Sequence, residues 1–335
     1  MALRLAFIGF RHGHILSLYD LAQKWDDIEV VAACEEDGDT RASLQGRVRF
    51  THASAGELLA GAECDAVAVG DYYARRGPLA LDILRSGRHC IADKPLCTRL
   101  EEVDAIEAIT REKGLKVGCM LTMRDSANSI EARRLIRDGA IGEVHAVTFG
   151  GQHPLLLGSR PGWYFEPGKH GGTLNDIGIH AFDALPWITG LRWARVEAAR
   201  GWNAFVPQYP HFHDGGQALL TMDNGAGVCG DVSYFAPDAA GYRLAQYWRT
   251  TFWGRAGIIE WATGQKMTLV GAGDKEPREL QTGDGDAGGY LRAFMRDIAG
   301  ESEPGGLDTA AVLRAARTAL RVQRAADEGQ TGVAL

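Results

Sequence analysis

Residues 3–14 read LRLAFIGFRHGH, and the predicted fold of the chain starts from this stretch. Its mostly apolar first half ends at Gly9, as a buried parallel strand does. Gly9 and Gly13 flank a turn, and an apolar helical pattern begins at Ile15. A strand, a glycine turn and a helix N-terminus in this order can bind the pyrophosphate of a dinucleotide. The full G-x-G-x-x-G motif is not present, so a turn that binds no ligand stays open as an alternative.

The next apolar strand is predicted at Ile28–Cys34 (IEVVAAC) and is followed by Glu35. Glu35 lies near the spacing of the acid that binds the adenosine ribose in dinucleotide-binding folds. A carboxylate at this place accepts from both ribose hydroxyls and repels a 2′-phosphate. The sequence therefore predicts NAD as the cofactor in preference to NADP.

Strands and helices continue to alternate in the first third of the chain. Strands are predicted at Cys64–Val69, His89–Ala92 and Leu115–Met120, and a helix at Leu100–Lys113. This alternation predicts a doubly wound parallel sheet that binds ligands at the carboxyl ends of its strands. Lys94 follows one of these strands, and the proline after it favours an extended conformation. A surface lysine at a turn is the alternative.

The pattern changes in the second part of the chain, which is rich in alternating strands separated by turn residues. A helix at Ser129–Gly142 and a strand at Val144–Phe149 precede them, and helices at Leu291–Ala299 and Thr309–Asp327 close the chain. The strands are predicted at Gln217–Met222, Ala226–Tyr234, Arg249–Trp253, Gly257–Trp261 and Lys266–Val270.

We therefore predict an α/β protein of two domains. Residues 1–122 form a dinucleotide-binding Rossmann domain with a doubly wound parallel sheet. Residues 123–335 form a substrate-binding and oligomerisation domain with a large, mostly antiparallel open sheet, and the last helix packs back on the N-terminal domain.

Composition excludes several classes of protein. A net charge of −7 leaves no basic footprint, so we expect neither nucleic acid nor a membrane surface as a partner. The six cysteines form no C-x-x-C pair or zinc-ligand spacing, which favours a reducing compartment. No secretory signal and no run of about 20 apolar residues is evident. We expect a soluble, cytoplasmic protein.

The chemistry-bearing stretch is residues 170–183, HGGTLNDIGIHAFD. On a helix that begins after the glycines, Asp176, His180 and Asp183 are spaced i, i+4, i+7 and share one face. A carboxylate one turn from an imidazole can orient the ring for general acid–base catalysis. A solvated helix face with a structural histidine is the alternative.

Two further groups of residues are candidates for binding. His211 and His213 resemble a metal pair on a strand, but no companion ligands with suitable spacing are evident. We favour a loop or the substrate cleft for them and predict no metal site. Trp163 and Tyr164 can stack on a sugar ring or serve as core or interface aromatics.

Taken together, these motifs resemble the Gfo/Idh/MocA oxidoreductase family, the group of glucose–fructose oxidoreductase and inositol dehydrogenase. The matching residues are the Gly9–Gly13 turn, Asp93-Lys94-Pro95 in place of the usual Glu-Lys-Pro, Gly139–Glu143, and Gly171–His180. The resemblance implies a Rossmann domain that binds a nicotinamide dinucleotide. It also implies that the C-terminal sheet forms the contacts of a homodimer or homotetramer.

The resemblance further implies that Lys94, Asp176 and His180 meet at the nicotinamide. Oxidation of an alcohol needs a base at the hydroxyl proton and a cation near the developing alkoxide. We assign His180 as general acid/base, Lys94 as cationic donor and Asp176 as the orienting carboxylate. Lys94 and His180 can also exchange these roles.

The expected binding residues follow from the same resemblance. Those for the cofactor are Gly9, Phe10, Arg11, His12, Gly13, Glu35, Gly70, Asp71, Tyr72, Asp93 and Lys94. Those for the substrate are Lys94, His153, Trp163, Tyr164, Asp176 and His180.

The sequence departs from the family in the glycine turn, which carries Arg11, His12 and His14, and at Gly70–Tyr73. We expect an NAD(P)-dependent oxidoreductase that acts on a secondary alcohol of a sugar, polyol or related cyclic alcohol, with an unusual substrate. A non-catalytic dinucleotide- and sugar-binding regulator and a redox-neutral NAD-dependent glycosidase stay open as alternatives.

Overall fold

The computed structural model describes residues 2–335 and divides into two compact units. The first unit comprises Met1–Met120, Gly168–Gly171 and Tyr290–Ala316. The second unit comprises Leu121–Pro167, Gly172–Gly289 and Arg317–Leu335. None of the described helices combines the length and apolarity needed to cross a bilayer.

The first unit is built on a parallel sheet of order β2-β1-β3-β4-β5, so the predicted doubly wound sheet is confirmed. Since the strand order reverses between β1 and β3, the crevice for a ligand lies beyond the carboxyl ends of these two strands. Its elements are β1 Leu3–Ile8, α1 Ile15–Ala22, β2 Ile28–Cys34, α2 Gly38–Ser43, α3 Ala55–Gly61, β3 Ala66–Val69, α4 Tyr73–Arg85, β4 His89–Ala92, α5 Leu100–Lys113 and β5 Val117–Cys119.

The turn after β1 needs glycine at its first position. Gly9 has φ of +79°, and a Cβ there would lie 3.0 Å from the backbone nitrogen of Asp71. The N–H of His12 donates to the carbonyl of Gly70 at 3.1 Å. The loops after β1 and β3 are therefore packed backbone to backbone at the crevice.

The second unit contains a sheet of order β13-β12-β11-β10-β6-β9-β8-β7-β14. All its pairs are antiparallel except β6 with β9, which confirms the predicted, mostly antiparallel sheet. The remaining elements of the chain are α6 Ala127–Arg137, β6 Val144–Pro154, α7 Ile179–Thr189, β7 Trp193–Trp202, β8 Gly215–Met222, β9 Gly227–Ala236, β10 Arg249–Gly254, β11 Gly257–Ala262, β12 Met267–Gly271, β13 Arg278–Leu280, α8 Gly289–Ala299, α9 Thr309–Glu328 and β14 Thr331–Ala334.

Three strands of this sheet, β7, β13 and β14, were not predicted from the sequence. The pairing of β7 with β8 contains two register shifts, which interrupt the alternation that a sequence pattern would show. The strands β13 and β14 are short edge strands with largely exposed residues. Such strands carry little hydrophobic signal, because their side chains are largely exposed.

The helix expected after the glycines begins with a π-helical turn, Leu174–Gly178, which runs directly into α7. A π turn holds more residues than an α turn, so the i, i+4, i+7 spacing does not place Asp176, His180 and Asp183 on one regular α-helical face. All three are buried. The alternative of a solvated helix face is therefore wrong, because both the helix and its polar residues are enclosed.

Candidate functional site

The turn after β1 fits the pyrophosphate of a dinucleotide. The position of a Cβ on Gly13 has no heavy atom within 4 Å, so the backbone is open there. The first turn of α1 follows, and no side chain caps it. Backbone N–H groups at the start of a helix bind phosphate oxygens without further help.

Glu35 holds this turn against the end of β2. One carboxylate oxygen accepts the N–H of Phe10, and the other accepts the N–H of Asp37 at 2.7 Å. The Nε of Arg11 lies 3.7 Å from the same carboxylate. The side chain is fully buried, and burial raises the pKa of Glu35. The residue predicted to bind ribose thus shapes the turn.

Cationic groups surround the loop after β3. The Nε of Arg11 lies 3.2 Å from one oxygen of Asp71, and the Nε of Arg75 lies 3.4 Å from the other. The Arg11 guanidinium carbon and the Lys169 ammonium lie 5.2 Å and 5.1 Å from the centre of the Tyr72 ring. Burial raises the pKa of Asp71. The cations of this part of the crevice are therefore paired with carboxylates.

A buried arginine, Arg76 on α4, fixes the backbone on both sides of Lys94. Its Nη1 donates to the carbonyls of Asp93 at 3.0 Å, of Pro95 at 3.1 Å, and of Lys94 itself. Its Nη2 donates to the Asp93 carboxylate at 2.9 Å, and its Nε donates to the carbonyl of Asp71 at 2.8 Å. Lys94 is only 4% exposed. The loop that carries the predicted catalytic lysine is therefore held rigidly.

The carboxylate of Asp93 also accepts a hydrogen bond from the Nδ1 of His12, a residue of the glycine turn. Burial alone would raise the pKa of Asp93. The guanidinium of Arg76 and the ring of His12 outweigh this effect and hold the pKa well below its usual range. The Nδ1 of His14 lies 3.7 Å from the second carboxylate oxygen.

Ligand atoms of His12, His14 and Asp93 lie within 4.8 Å of one another, as they would around a metal ion. The guanidinium of Arg76 is hydrogen-bonded to this carboxylate, and Lys94 is the next residue along the chain. Two positive charges so close oppose the binding of a cation. We therefore assign no metal to this cluster.

In the second unit, Asp176 has a tyrosine as partner. The hydroxyl of Tyr234 on β9 donates to the Asp176 carboxylate. Burial, together with this carboxylate, raises the pKa of Tyr234 well above its usual value. The guanidinium of Arg160 lies 4.9 Å from the Tyr234 ring centre and 4.8 Å from that of Tyr164.

His153 and His180 lie in one group of aromatic side chains. The ring centre of Trp248 is 5.7 Å from that of His180 and 5.8 Å from that of His153. Tyr247 and Tyr234 are 4.8 Å and 6.2 Å from His153. We call His153, His180, Tyr234, Tyr247 and Trp248 the aromatic cluster. It brings together two residues predicted to bind substrate, and Tyr234 connects it to Asp176.

Trp163 and Tyr164 are both buried, and their rings stack with centres 4.2 Å apart. Asp183, the third polar residue of the predicted helix face, has a different partner. Its carboxylate accepts two hydrogen bonds from Arg124, one of them from Nε at 2.7 Å. The structure therefore places Asp183 in a buried ion pair with Arg124.

The stretch His211–Asp214 serves loop structure. The buried carboxylate of Asp214 accepts the N–H groups of Ala204 at 2.7 Å and Phe205 at 2.6 Å. The carbonyl of His213 accepts a hydrogen bond from the hydroxyl of Thr173, the residue just before the π turn.

A glutamine on α9 holds the start of the helix that carries Asp176 and His180. The Oε1 of Gln323 accepts the N–H of Leu174 at 2.9 Å and that of Asn175 at 3.3 Å. A Cβ on Gly172, where φ is +94°, would clash with the amide of Gln323. The absence of a side chain at Gly172 therefore leaves room for this amide.

Gln323→Leu is expected to lower the free energy of unfolding by about 2 kcal/mol, because two buried N–H groups lose their acceptor. Urea denaturation followed by circular dichroism measures this change. The matched variant is Gln330→Leu, whose side chain is exposed and which should change stability by less than about 0.5 kcal/mol. Equal effects of the two substitutions would contradict the role of Gln323.

Sequence reasoning assigned no role to Arg76, Arg160, Tyr234 or Gln323. Each acts through a partner that is distant along the chain, and no local pattern marks such a pair. Tyr234 lies in a predicted strand, where an aromatic residue is ordinary core. Arg76 is an arginine on α4, and arginines are mostly exposed, so its sequence gives no sign of burial.

Two family models match consecutive parts of the chain. Residues 3–120 match the oxidoreductase family described by its NAD-binding Rossmann fold, and residues 130–260 match the GFO/IDH/MocA C-terminal domain. A solved structure from Erwinia carotovora atroseptica SCRI1043, named only as an oxidoreductase, is 30% identical with a TM-score of 0.85. That similarity covers 97% of this chain and 98% of the other.

Curated relatives include inositol 2-dehydrogenase of Rhizobium meliloti (strain 1021), at 26% identity over 71% of this chain and 66% of the relative. The 1,5-anhydro-D-fructose reductase of Ensifer adhaerens is 30% identical over 39% of this chain and 40% of the relative. The chain spans about half the length of the curated relatives that it matches.

Proposed function

The chain belongs to the Gfo/Idh/MocA family of oxidoreductases, and on that premise we propose that it is an NAD-dependent dehydrogenase. Its substrate is a secondary alcohol of a sugar, a polyol or a related cyclic alcohol. The observation that carries the proposal is the buried Lys94, whose loop Arg76 holds next to the dinucleotide turn. Lysine is among the residues least often buried, so a buried lysine in a loop at the carboxyl ends of parallel strands is a candidate for binding or catalysis.

The proposed reaction assigns one task to each of three side chains. Bound NAD would accept the hydride that leaves the alcohol carbon. His180 removes the hydroxyl proton, and Lys94 donates a hydrogen bond to the same oxygen as it becomes a carbonyl. Asp176, held by Tyr234, orients the reacting groups. In the reverse direction His180 returns the proton.

The residues that would hold the cofactor belong to the first unit. The open backbone at Gly13 and the start of α1 would bind the pyrophosphate, and Arg11 lies beside it on the same turn. Glu35 and Asp71 place negative charge near this turn, which supports a preference for NAD over NADP.

The aromatic cluster supports a cyclic polyol or sugar as substrate. Aromatic faces pack against the C–H groups of a sugar ring, and the polar edges of histidine and tyrosine can bind its hydroxyls. The relatives inositol 2-dehydrogenase and 1,5-anhydro-D-fructose reductase are named for substrates of this kind. Trp163 and Tyr164 are included in the proposed substrate site.

The proposal is tested by incubating the protein with NAD and a panel of inositols, aldoses and anhydrosugars while NADH is followed at its absorption band. Formation of NADH with at least one member is expected. Cleavage of a glycoside without net NADH would favour a redox-neutral glycosidase, and tight binding of NAD and sugar without either reaction would favour a regulator.

Glu35→Gln is expected to reduce the preference for NAD over NADP by about 1–3 kcal/mol, since the charge that opposes a 2′-phosphate is lost. Calorimetric titration of both dinucleotides measures the change. Glu63→Gln is the control, because Glu63 is exposed, pairs with Arg4 at 3.4 Å and lies just before β3, at the opposite end of the sheet. Better binding of NADP than NAD by the unaltered protein would refute this role.

We also propose that the outer face of the nine-stranded sheet joins subunits into a homodimer or homotetramer. The strand registers place Leu219, Cys229 and Trp253 on one face of this sheet. Leu219 and Trp253 are 52% and 46% exposed. Exposed apolar side chains on one sheet face are typical of an interface. Light scattering of the protein and of Trp253→Lys tests this assembly.

A further inference from the structure

The dinucleotide turn and the loop of Lys94 are connected by a buried chain of hydrogen bonds. His12 lies on the turn, and Asp93 immediately precedes Lys94. The Nδ1 of His12 donates to the carboxylate of Asp93, which Arg76 also binds. This chain of hydrogen bonds thus extends from the proposed cofactor site to the predicted catalytic lysine within the first unit.

The protonation state of His12 determines which of its ring nitrogens donates a hydrogen bond and which accepts one. Burial lowers the pKa of His12 to about 3, so the ring is neutral at physiological pH. Since Asp93 is a carboxylate, Nδ1 carries the proton and donates it, which leaves Nε2 as an acceptor. The hydroxyl of Tyr73 lies 3.3 Å from Nε2 and donates to it.

Tyr73 connects these hydrogen bonds to the side chain of Lys94. Its fully buried ring lies 5.9 Å from the Lys94 ammonium and 4.6 Å from the Arg76 guanidinium carbon, measured to the ring centre. The ring of His170 is 5.3 Å away. Asp93 adjoins Lys94 along the backbone, and the Tyr73 ring lies near the ammonium of Lys94. His12 is hydrogen-bonded to both Asp93 and Tyr73.

Two departures from the family pattern meet in this contact. The turn carries a histidine at position 12, and aspartate replaces the usual glutamate at position 93. The shorter aspartate side chain is hydrogen-bonded here to the imidazole of His12.

We infer that His12 is a positioning residue that couples occupation of the dinucleotide turn to the placement of Lys94. Phosphate binding at the turn shifts His12, and its bonds to Asp93 and Tyr73 pass the shift to the lysine. The inference rests on the proposed function, because it requires a dinucleotide at this turn. Its mechanism needs no turnover and can be measured on its own.

The test uses ADP-ribose, which carries the pyrophosphate but has no nicotinamide ring to cover Lys94. Acylation of Lys94 by acetic anhydride is quantified by mass spectrometry with and without saturating ADP-ribose, and exposed Lys24 serves as internal reference. In the unaltered protein, ADP-ribose is expected to change the rate at Lys94 at least threefold. In His12→Phe, which keeps a ring but has no donor, the change should fall below 1.5-fold.

Two variants separate coupling from general damage. His12→Asn retains a donor at the position of Nδ1 and should restore most of the response. His14→Asn alters the neighbouring histidine, whose Nδ1 is 3.7 Å from Asp93, and should leave the response intact. Thermal unfolding and calorimetric binding of ADP-ribose are measured for every variant, so the response is compared only at equal saturation.

The outcomes distinguish the two proposals. If the unaltered protein does not bind ADP-ribose, the proposed dinucleotide function and this inference both fail. If His12→Phe binds ADP-ribose and Lys94 responds as in the unaltered protein, this inference alone is overturned. A response that EDTA abolishes in the unaltered protein would also overturn it, because a metal would then make the connection.

Discussion

Lys94→Ala is expected to lower kcat by about 10³-fold, with His180→Ala causing a loss of similar size. In the proposed reaction Lys94 stabilises negative charge on the reacting oxygen, and His180 transfers its proton. Both effects arise in the transition state, so the affinity for NAD should stay within tenfold. Steady-state rates of NADH formation and fluorescence titration of NAD measure the two quantities separately.

The matched controls are Lys24→Ala and His145→Ala, which alter exposed residues of the same types. Each should retain kcat within twofold. Unchanged turnover in Lys94→Ala or in His180→Ala would refute the role of that residue, whereas loss of NAD binding in Lys94→Ala would show that the lysine serves the cofactor rather than the chemistry.

Arg76→Met is expected to lower the free energy of unfolding by about 3–5 kcal/mol. The substitution keeps an unbranched side chain but leaves the Asp93 carboxylate buried without its cationic partner. It also removes the donor that binds three consecutive carbonyls around Lys94. Urea denaturation at neutral pH measures the change.

Arg85→Met is the control on the same helix. Arg85 forms an exposed ion pair with Asp82 at 3.1 Å, and such pairs contribute about 0–1 kcal/mol. Adding Asp93→Asn to Arg76→Met should recover part of the lost stability, because the unpaired charge is removed. A loss below about 1 kcal/mol in Arg76→Met would show that the buried pair does not hold the loop.

Much of the fold was accessible from periodicity alone. The bounds of β2, β4 and α5 coincide with the predicted bounds, because each is a compact run of one periodicity closed by turn or capping residues. The mixed character of the second half was also predicted. The bounds of β6 were not, since its last five residues include two glycines and a proline that do not read as a strand.

The candidate site was accessible in part. Lys94, Asp176 and His180 were singled out from motifs, and their joint role in catalysis stays a prediction. Glu35 was expected to face a ligand, yet both of its oxygens accept backbone N–H groups of the protein. Spacing along the chain located the residue but carried no information on where its oxygens point.

The amino-acid sequence by itself established the class of fold, the place of the glycine turn and the residue types available for chemistry, because these depend on local periodicity and on short motifs. The pairing of Arg76 with the Lys94 loop, of His12 with Asp93, and of Tyr234 with Asp176 emerged only from the folded chain. Each pair joins side chains separated by between 17 and 81 positions. The energies of these interactions depend on burial and on distance in space, and local sequence patterns give neither quantity.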